Sequence, residues 1–314
     1  MLVVSLAFII ALRSHSADAA PTPPPATAAY YMTSVNTSSA FSLGYAIGQT
    51  DASLPGTQDR VAILDFGQAW TETFGGIASY GTNIFGANTF VGVADIEAAA
   101  EQFGYGYWAG TGTDTTSTIR VLVSTNNYGV GAGGNRMTYG HGQVWEVTSN
   151  DVDAWLTGHG YGGQVRADSG ADLELDWNSS TVSRAWVDGF ASNSGATGRI
   201  TYDFGDAAGC SSVCNNSWTK DDVWYISWGA SPAYAIPEIY VAGMPAEWHT
   251  LSAYAASAHG NRMNIQGALS EYSSCTPCSE YTAAQSWSQL YDALDADSVT
   301  RQTTLRWSAD IRYQ

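Results

Sequence analysis

Two stretches set the first expectation. Residues 61–66 and 119–123 are near-continuous apolar runs, the first carrying Asp65 and closing on Gly67, the second closing on Ser124, Thr125, Asn126 and Asn127. Runs that do not alternate mark strands buried on both faces, as in parallel sheets. Between them, residues 90–103 place Val91, Ile96, Ala99 and Phe103 on one helical face and Asp95, Glu97 and Glu101 on another, which predicts an amphipathic helix and so one βαβ unit. The pattern continues: helices are predicted at 151–156, 181–191, 246–259 and 284–294. Further strands are predicted at 165–177, 199–204, 223–228, 236–241 and 263–269. Seven strands separated by mostly helical segments predict an α/β (β/α)8-type TIM barrel, irregular in places, with residues 29–48 or 304–313 supplying the missing strand. A doubly wound open sheet is the alternative.

Composition places this pattern in a globular domain. Of 314 residues 45% are hydrophobic and 12% aromatic, so disorder is excluded. Twelve basic against twenty-nine acidic residues give a net charge of -17, and Lys220 is the one lysine, which argues against nucleic acid as a partner. Residues 2–12 form an apolar run without a basic residue ahead of it, followed by Ala17, Asp18, Ala19 and Ala20 in the style of an A-x-A cleavage site. The run is short for a bilayer span. The sequence therefore predicts a signal peptide over 1–19, a Pro/Ala-rich linker over 20–29, and a single domain over 30–314 that is secreted or held at the cell surface. Cys210, Cys214, Cys275 and Cys278 form an even set that reads as disulfides in an exported chain, with a four-cysteine zinc site as the rival. Local and cross pairings are both compatible with the spacing.

Several chemistries fall away. Gly129, Gly131 and Gly134 have the GxGxxG spacing, but the residues that follow do not open a helix, so the segment reads as a flexible barrel loop. No Walker lysine motif, HExxH or GxSxG is present. His141, His159, His249 and His259 lack ligand spacing and read as loop or surface histidines.

The informative segment is Ala171-Asp172-Leu173-Glu174-Leu175-Asp176-Trp177. In a strand, Asp172, Glu174 and Asp176 share one face, with neighbours on that face about 6.7 Å apart. The two leucines would face the helices and the carboxylates the barrel interior. Crowded carboxylates raise one another's pKa, which makes a general acid at neutral pH, and glycosidic cleavage needs such an acid beside a second carboxylate. The bland reading is that Arg166 or Arg199 holds Asp172 and that Asp176 caps the next helix. Other strand ends carry acids or polar groups as well: Asp65, Asp203 and Asp206, Trp228, Glu238 and Tyr240, and Gln266. Barrel enzymes assemble their sites from several strand ends.

These residues carry a resemblance. Leu64-Asp65-Phe66-Gly67 on the first strand, Asp172-Leu173-Glu174 on a middle strand followed by Asp176-Trp177, and the later Trp224-Tyr225-Ile226-Ser227-Trp228-Gly229 resemble secreted glycoside-hydrolase-like barrels. These are the muramidase-type and Asp-x-Glu chitinase-type barrels, together with a group of uncharacterised exported bacterial proteins. The resemblance spans residues 60–271. It implies Glu174 as general acid, Asp172 as its partner carboxylate and Asp65 as an acid at the floor of the site. Gly170 stands where the full chitinase-type pattern has another aspartate, which argues against substrate-assisted cleavage of N-acetyl sugars.

The resulting expectation is an exported carbohydrate-active barrel, a glycoside hydrolase acting on a cell-wall polysaccharide such as peptidoglycan or another extracellular polysaccharide. Glu174, Asp172, Asp176 and Asp65 are the expected catalytic residues. Trp177, Asp203, Trp228, Glu238, Tyr240 and Gln266 are the expected substrate-binding residues. The mature chain is taken as a monomer with no cofactor, no metal and no membrane span. A catalytically silent barrel that binds a glycan or a partner protein is the alternative, and a calcium-dependent module ranks behind it.

Overall fold

The computed structural model describes residues 21–129, 136–275 and 277–314. The expected leader, Gly131 and Gly134 lie outside them.

Eight parallel strands form the barrel wall: β1 (Thr27–Tyr31), β2 (Asp59–Phe74), β5 (Thr118–Asn126), β6 (Val165–Asp172), β7 (Thr201–Asp203), β8 (Ala233–Ala235), β9 (Gly267–Ser270) and β10 (Trp307–Tyr313). They lie in the order β8-β7-β6-β5-β2-β1-β10-β9. The ring is completed just beyond β8, where Glu238 bridges Leu269 in parallel. There Ile239 N donates to Leu269 O and Leu269 N to Pro237 O, both at 2.9 Å. The crossovers carry α1 (Thr37–Ser53), α2 (Val93–Thr111), α3 (Tyr139–Gly158), α4 (Ser180–Thr197), α5 (Lys220–Trp224), α6 (Met244–His259) and α7 (Ala283–Asp295). The fold is the irregular TIM-type barrel that the pattern predicts.

Strand periodicity divides the core in two. Val61 and Ile63, Leu122, Ala29 and Tyr31, and Trp307, Ala309 and Ile311 fill the barrel interior. Ala62, Leu64 and Phe66, Val121 and Val123, and Val165, Ala167 and Ala171 pack outward against the helices with Trp145, Trp186 and Phe103. The same alternation sends Asp65, Asp168 and Asp172 inward. A Cβ on Gly170, between the last two, would lie 2.3 Å from Ser124 Oγ, so any larger residue at that inward position would have to displace the Ser124 side chain.

Both β1 and β10 join the barrel, and Thr27 begins pairing inside the expected linker. The Asp65 strand is therefore the second of the ring. The segment 223–228 is not a strand. Thr219 opens α5 with a reciprocal capping pair to Asp222, and a wider helical turn, Tyr225–Gly229, follows. A short apolar run looks alike whether it is a buried strand or a buried helix, and here the cap decides. Phe90–Gly92 is β4, which pairs with β3 (Ile77–Asn83), so α2 starts three residues later than the pattern suggests. β3 pairs antiparallel with the second half of β2, and the turn between them projects from the barrel mouth. The register of β2 against β5 shifts between Asp65 and Gln68, at Gly67, whose φ of +100° other residues rarely adopt.

The four cysteines pair locally, Cys210 with Cys214 and Cys275 with Cys278. Among the described residues no helix is long and apolar enough to cross a membrane.

Candidate active site

The expected strand over 165–177 stops at Asp172. Past it, the Asn127 side chain takes the place of a neighbouring strand: its Nδ2 donates to Glu174 O at 2.9 Å and its Oδ1 accepts from Glu174 N at 3.1 Å. The chain then turns, with Trp177 N donating to Glu174 O. Asp172, Glu174 and Asp176 consequently do not share a face. Asp172 is fully buried in the barrel mouth, Glu174 stands on the turn above it, and Asp176 is exposed and accepts from Asn215 Nδ2 at 3.0 Å. The alternating-strand reading of Asp176 is corrected by this turn.

A cavity of about 400 Å³ opens at this end of the barrel. Its carboxylates are Glu174, Glu238 and Glu271. Tyr31, Phe85 and Tyr313 form one aromatic cluster along it, with ring centroids 5.0 to 6.0 Å apart. Tyr128 and Trp177 form another, edge to face at 5.5 Å. The β3 segment and the loop after it add Asn83, Ile84, Phe85 and Asn88.

Carboxylate oxygens of Asp172, Glu174 and Glu238 lie within 4.8 Å of one another. These three are the described residues that could hold a hard metal ion, through oxygen ligands alone. Their protonation is set first by burial and then by one another. Asp172 is pushed well above the ordinary carboxylate range by burial, then by the charges of Glu238, Glu174, Asp65 and Asp203. One of its oxygens, Oδ1, is buried without a hydrogen-bond partner. Burial, with Asp206, Asp176 and Glu271 nearby, raises Glu174 to about 8. Glu238 is also raised well above its usual value by burial and by Glu174, against the Tyr240 hydroxyl, which donates to Glu238 Oε1 at 2.7 Å and favours its anion. Asp65, on the floor of the mouth, is raised to about 7 by burial; Gly67 N donates to its Oδ1 at 2.8 Å, and its Oδ2 has no partner. Neither Arg166 nor Arg199 holds Asp172. Arg166 pairs with Asp153, and Arg199 lies against Asp153 and Asp168.

Of the expected binding residues, Trp177, Glu238 and Tyr240 line the cavity. Asp203 pairs in register with outward-facing Ala171 and accepts from Ser227 Oγ, so it points under the helical layer, where burial raises it to about 7. Trp228 packs edge to face on Tyr234 and is not part of the cavity lining, because its segment is helical. Gln266 precedes β9, at the opposite end of the barrel, and its side chain donates to Asn264 O. His141, expected at the surface, is fully buried: its Nε2 meets Gly81 O at 2.9 Å and its Nδ1 accepts from Trp186 Nε1 at 3.0 Å.

Glu271, Tyr31, Tyr313, Phe85, Tyr128, Gln68 and Asn126 line the cavity without having been singled out by the sequence. Glu271 was within reach, since it follows the predicted 263–269 strand as directly as Asp206 follows the one at 199–204.

Comparison with protein-family models, curated proteins and solved structures finds no match to this chain.

Proposed function

We propose that the protein is an exported glycoside hydrolase acting on an extracellular or cell-wall polysaccharide, with Glu174 as general acid and Glu238 as nucleophile. The observation that carries this reading is the approach of Glu174 and Glu238 oxygens to within 4.8 Å at an aromatic-walled barrel mouth. Oxygens this close belong with the ~5–5.5 Å spacing of retaining pairs and not with the ~6.5–9.5 Å that inverting pairs keep for a water. Burial and crowding leave protons on Asp172 and Glu174 at neutral pH, while Glu238, whose anion the Tyr240 hydroxyl favours, reacts as the carboxylate: Glu174 gives its proton to the glycosidic oxygen as Glu238 bonds to the anomeric carbon. Glu174, now a carboxylate, takes a proton from water as that water displaces Glu238, which restores both groups. Buried Asp172 keeps the cluster short of full ionisation. The aromatic rings offer flat apolar faces to sugar rings. The two local disulfides agree with export into an oxidising compartment.

The test is reducing-end release from a panel of polysaccharides and peptidoglycan, by the parent protein and by Glu174→Gln and Glu238→Gln, with folding checked by circular dichroism. Loss of activity by about 10²- to 10⁴-fold in Glu174→Gln is expected, since that is what proton transfer contributes. Proton NMR of the first product should show retained anomeric configuration. Activity indifferent to Glu174, or none across the panel, refutes the reading.

A further inference from the structure

The cavity holds more carboxyl groups than hydrolysis needs. Two carboxylates perform the displacement, yet a third, Glu271, also faces the space, and Asp172 and Asp65 lie behind. No lysine, arginine or histidine lines it among the described residues. The charges acting on Asp172, Glu174 and Glu238 are those of other carboxylates. The cations of the barrel are spent elsewhere: Arg120, Arg166, Arg199 and Arg306 are each paired with an aspartate at or near the opposite end. The whole chain, at -17, draws cations and repels anions in the same sense.

A ligand supplying the missing positive charge resolves this imbalance. Glu271 is placed to receive it: partly exposed at the rim, it lines the cavity together with the Tyr31, Phe85 and Tyr313 rings. Carboxylates and aromatic faces together make a site for an ammonium group. We propose that the glycan taken by this cavity bears free amino groups, a polymer of non-acetylated hexosamine, with Glu271 and the aromatic cluster receiving an ammonium while Glu174 and Glu238 face the scissile bond. This rests on the reading of the site as glycosidic. Anionic glycans are turned away by repulsion, and an N-acetyl group forfeits the charge that the site asks for.

Calorimetric titration of the full chain carrying Glu174→Gln tests the idea, using glucosamine and galactosamine oligomers, their N-acetylated counterparts, glucose oligomers and galacturonate oligomers. In parallel, the parent protein is assayed for reducing-end release from the same polymers. An amino oligomer should bind at least about tenfold more tightly than its N-acetylated form at low salt, the advantage shrinking as salt screens the pair. Adding Glu271→Gln should remove about that factor for the amino oligomer and leave the neutral ones unchanged. Equal or tighter binding of acetylated or neutral oligomers overturns the charge inference and leaves the glycosidase reading standing. Absence of both binding and release for every glycan refutes both. Thermal stabilisation by calcium or magnesium ions, with none by amino oligomers, overturns the inference in favour of a metal at Asp172, Glu174 and Glu238.

Discussion

Asp168 and Asp172 lie four residues apart on β6, face the same interior and are equally buried, yet they live in opposite electrostatic worlds. Asp168, toward the N-terminal end, meets the Arg120 guanidinium, has Arg199 at 3.7 Å and accepts from Ile200 N at 2.9 Å. Asp172, at the mouth, feels the charges of other carboxylates and leaves Oδ1 unpartnered. A buried acid with its cation holds the wall together, whereas a buried acid among acids costs stability and persists where a site needs protons held at neutral pH.

The difference should appear first in the pH profile. Asp65 and Asp203 hold protons up to about 7 and Glu174 to about 8, against about 4 for such groups in the unfolded chain. What they contribute to folding is complete below about pH 4 and is lost as pH rises through 7 to 8. His141 works the other way: burial lowers it to about 4, so its contribution is intact above about 6.5 and is lost as pH falls from there toward 4. Three acids outweigh one histidine, and urea unfolding should show stability rising by about 5 kcal/mol from pH 8 to 5.5. A flat or falling profile would erase the contrast.

Replacing each aspartate by its neutral isostere should give opposite signs. Asp168→Asn strands arginine charge in the wall and should cost about 3–5 kcal/mol in urea unfolding at pH 7. Asp172→Asn should stabilise by about 1–3 kcal/mol at pH 8, seen as a higher Tm, with the gain fading by pH 5. A loss at both positions would mean that Asp172 is as well compensated as Asp168. The smallest effect belongs to the Arg306–Asp59 pair at 2.6 Å, both partners well exposed: Asp59→Asn should shift stability by less than about 1 kcal/mol.

Much of the barrel could be read from the chain because strands buried on both faces announce themselves as apolar runs. β1 was placed only loosely, within 29–48, because Thr27, Ala28 and Ala29 are too small to signal burial, and the 223–228 run misled because burial alone does not distinguish strand from helix. Within the site, Asp65, Asp172, Glu174 and Glu238 were legible as polar residues at strand ends. The place of Asp176 was not, since it depends on Asn127, almost fifty residues away, ending the strand. Tyr31 and Tyr313 come from the first and last strands, and only the pairing of those two strands in register brings their rings to 5.0 Å.

Closure itself is uneven. β7 and β8 are three residues long and β9 four, and the ring joins between β8 and β9 through the Glu238–Leu269 bridge and one bond from Gln266 N to Ala235 O. Such a narrow join is the natural place for the wall to breathe, so amide hydrogens of Ile239 and Leu269 should exchange with solvent before those of β5 and β6. Glu238 rides on that hinge line. An opening there would carry it away from Asp172 and Glu174 and relieve the crowding of their charges, coupling the breathing of the wall to the number of protons the mouth retains.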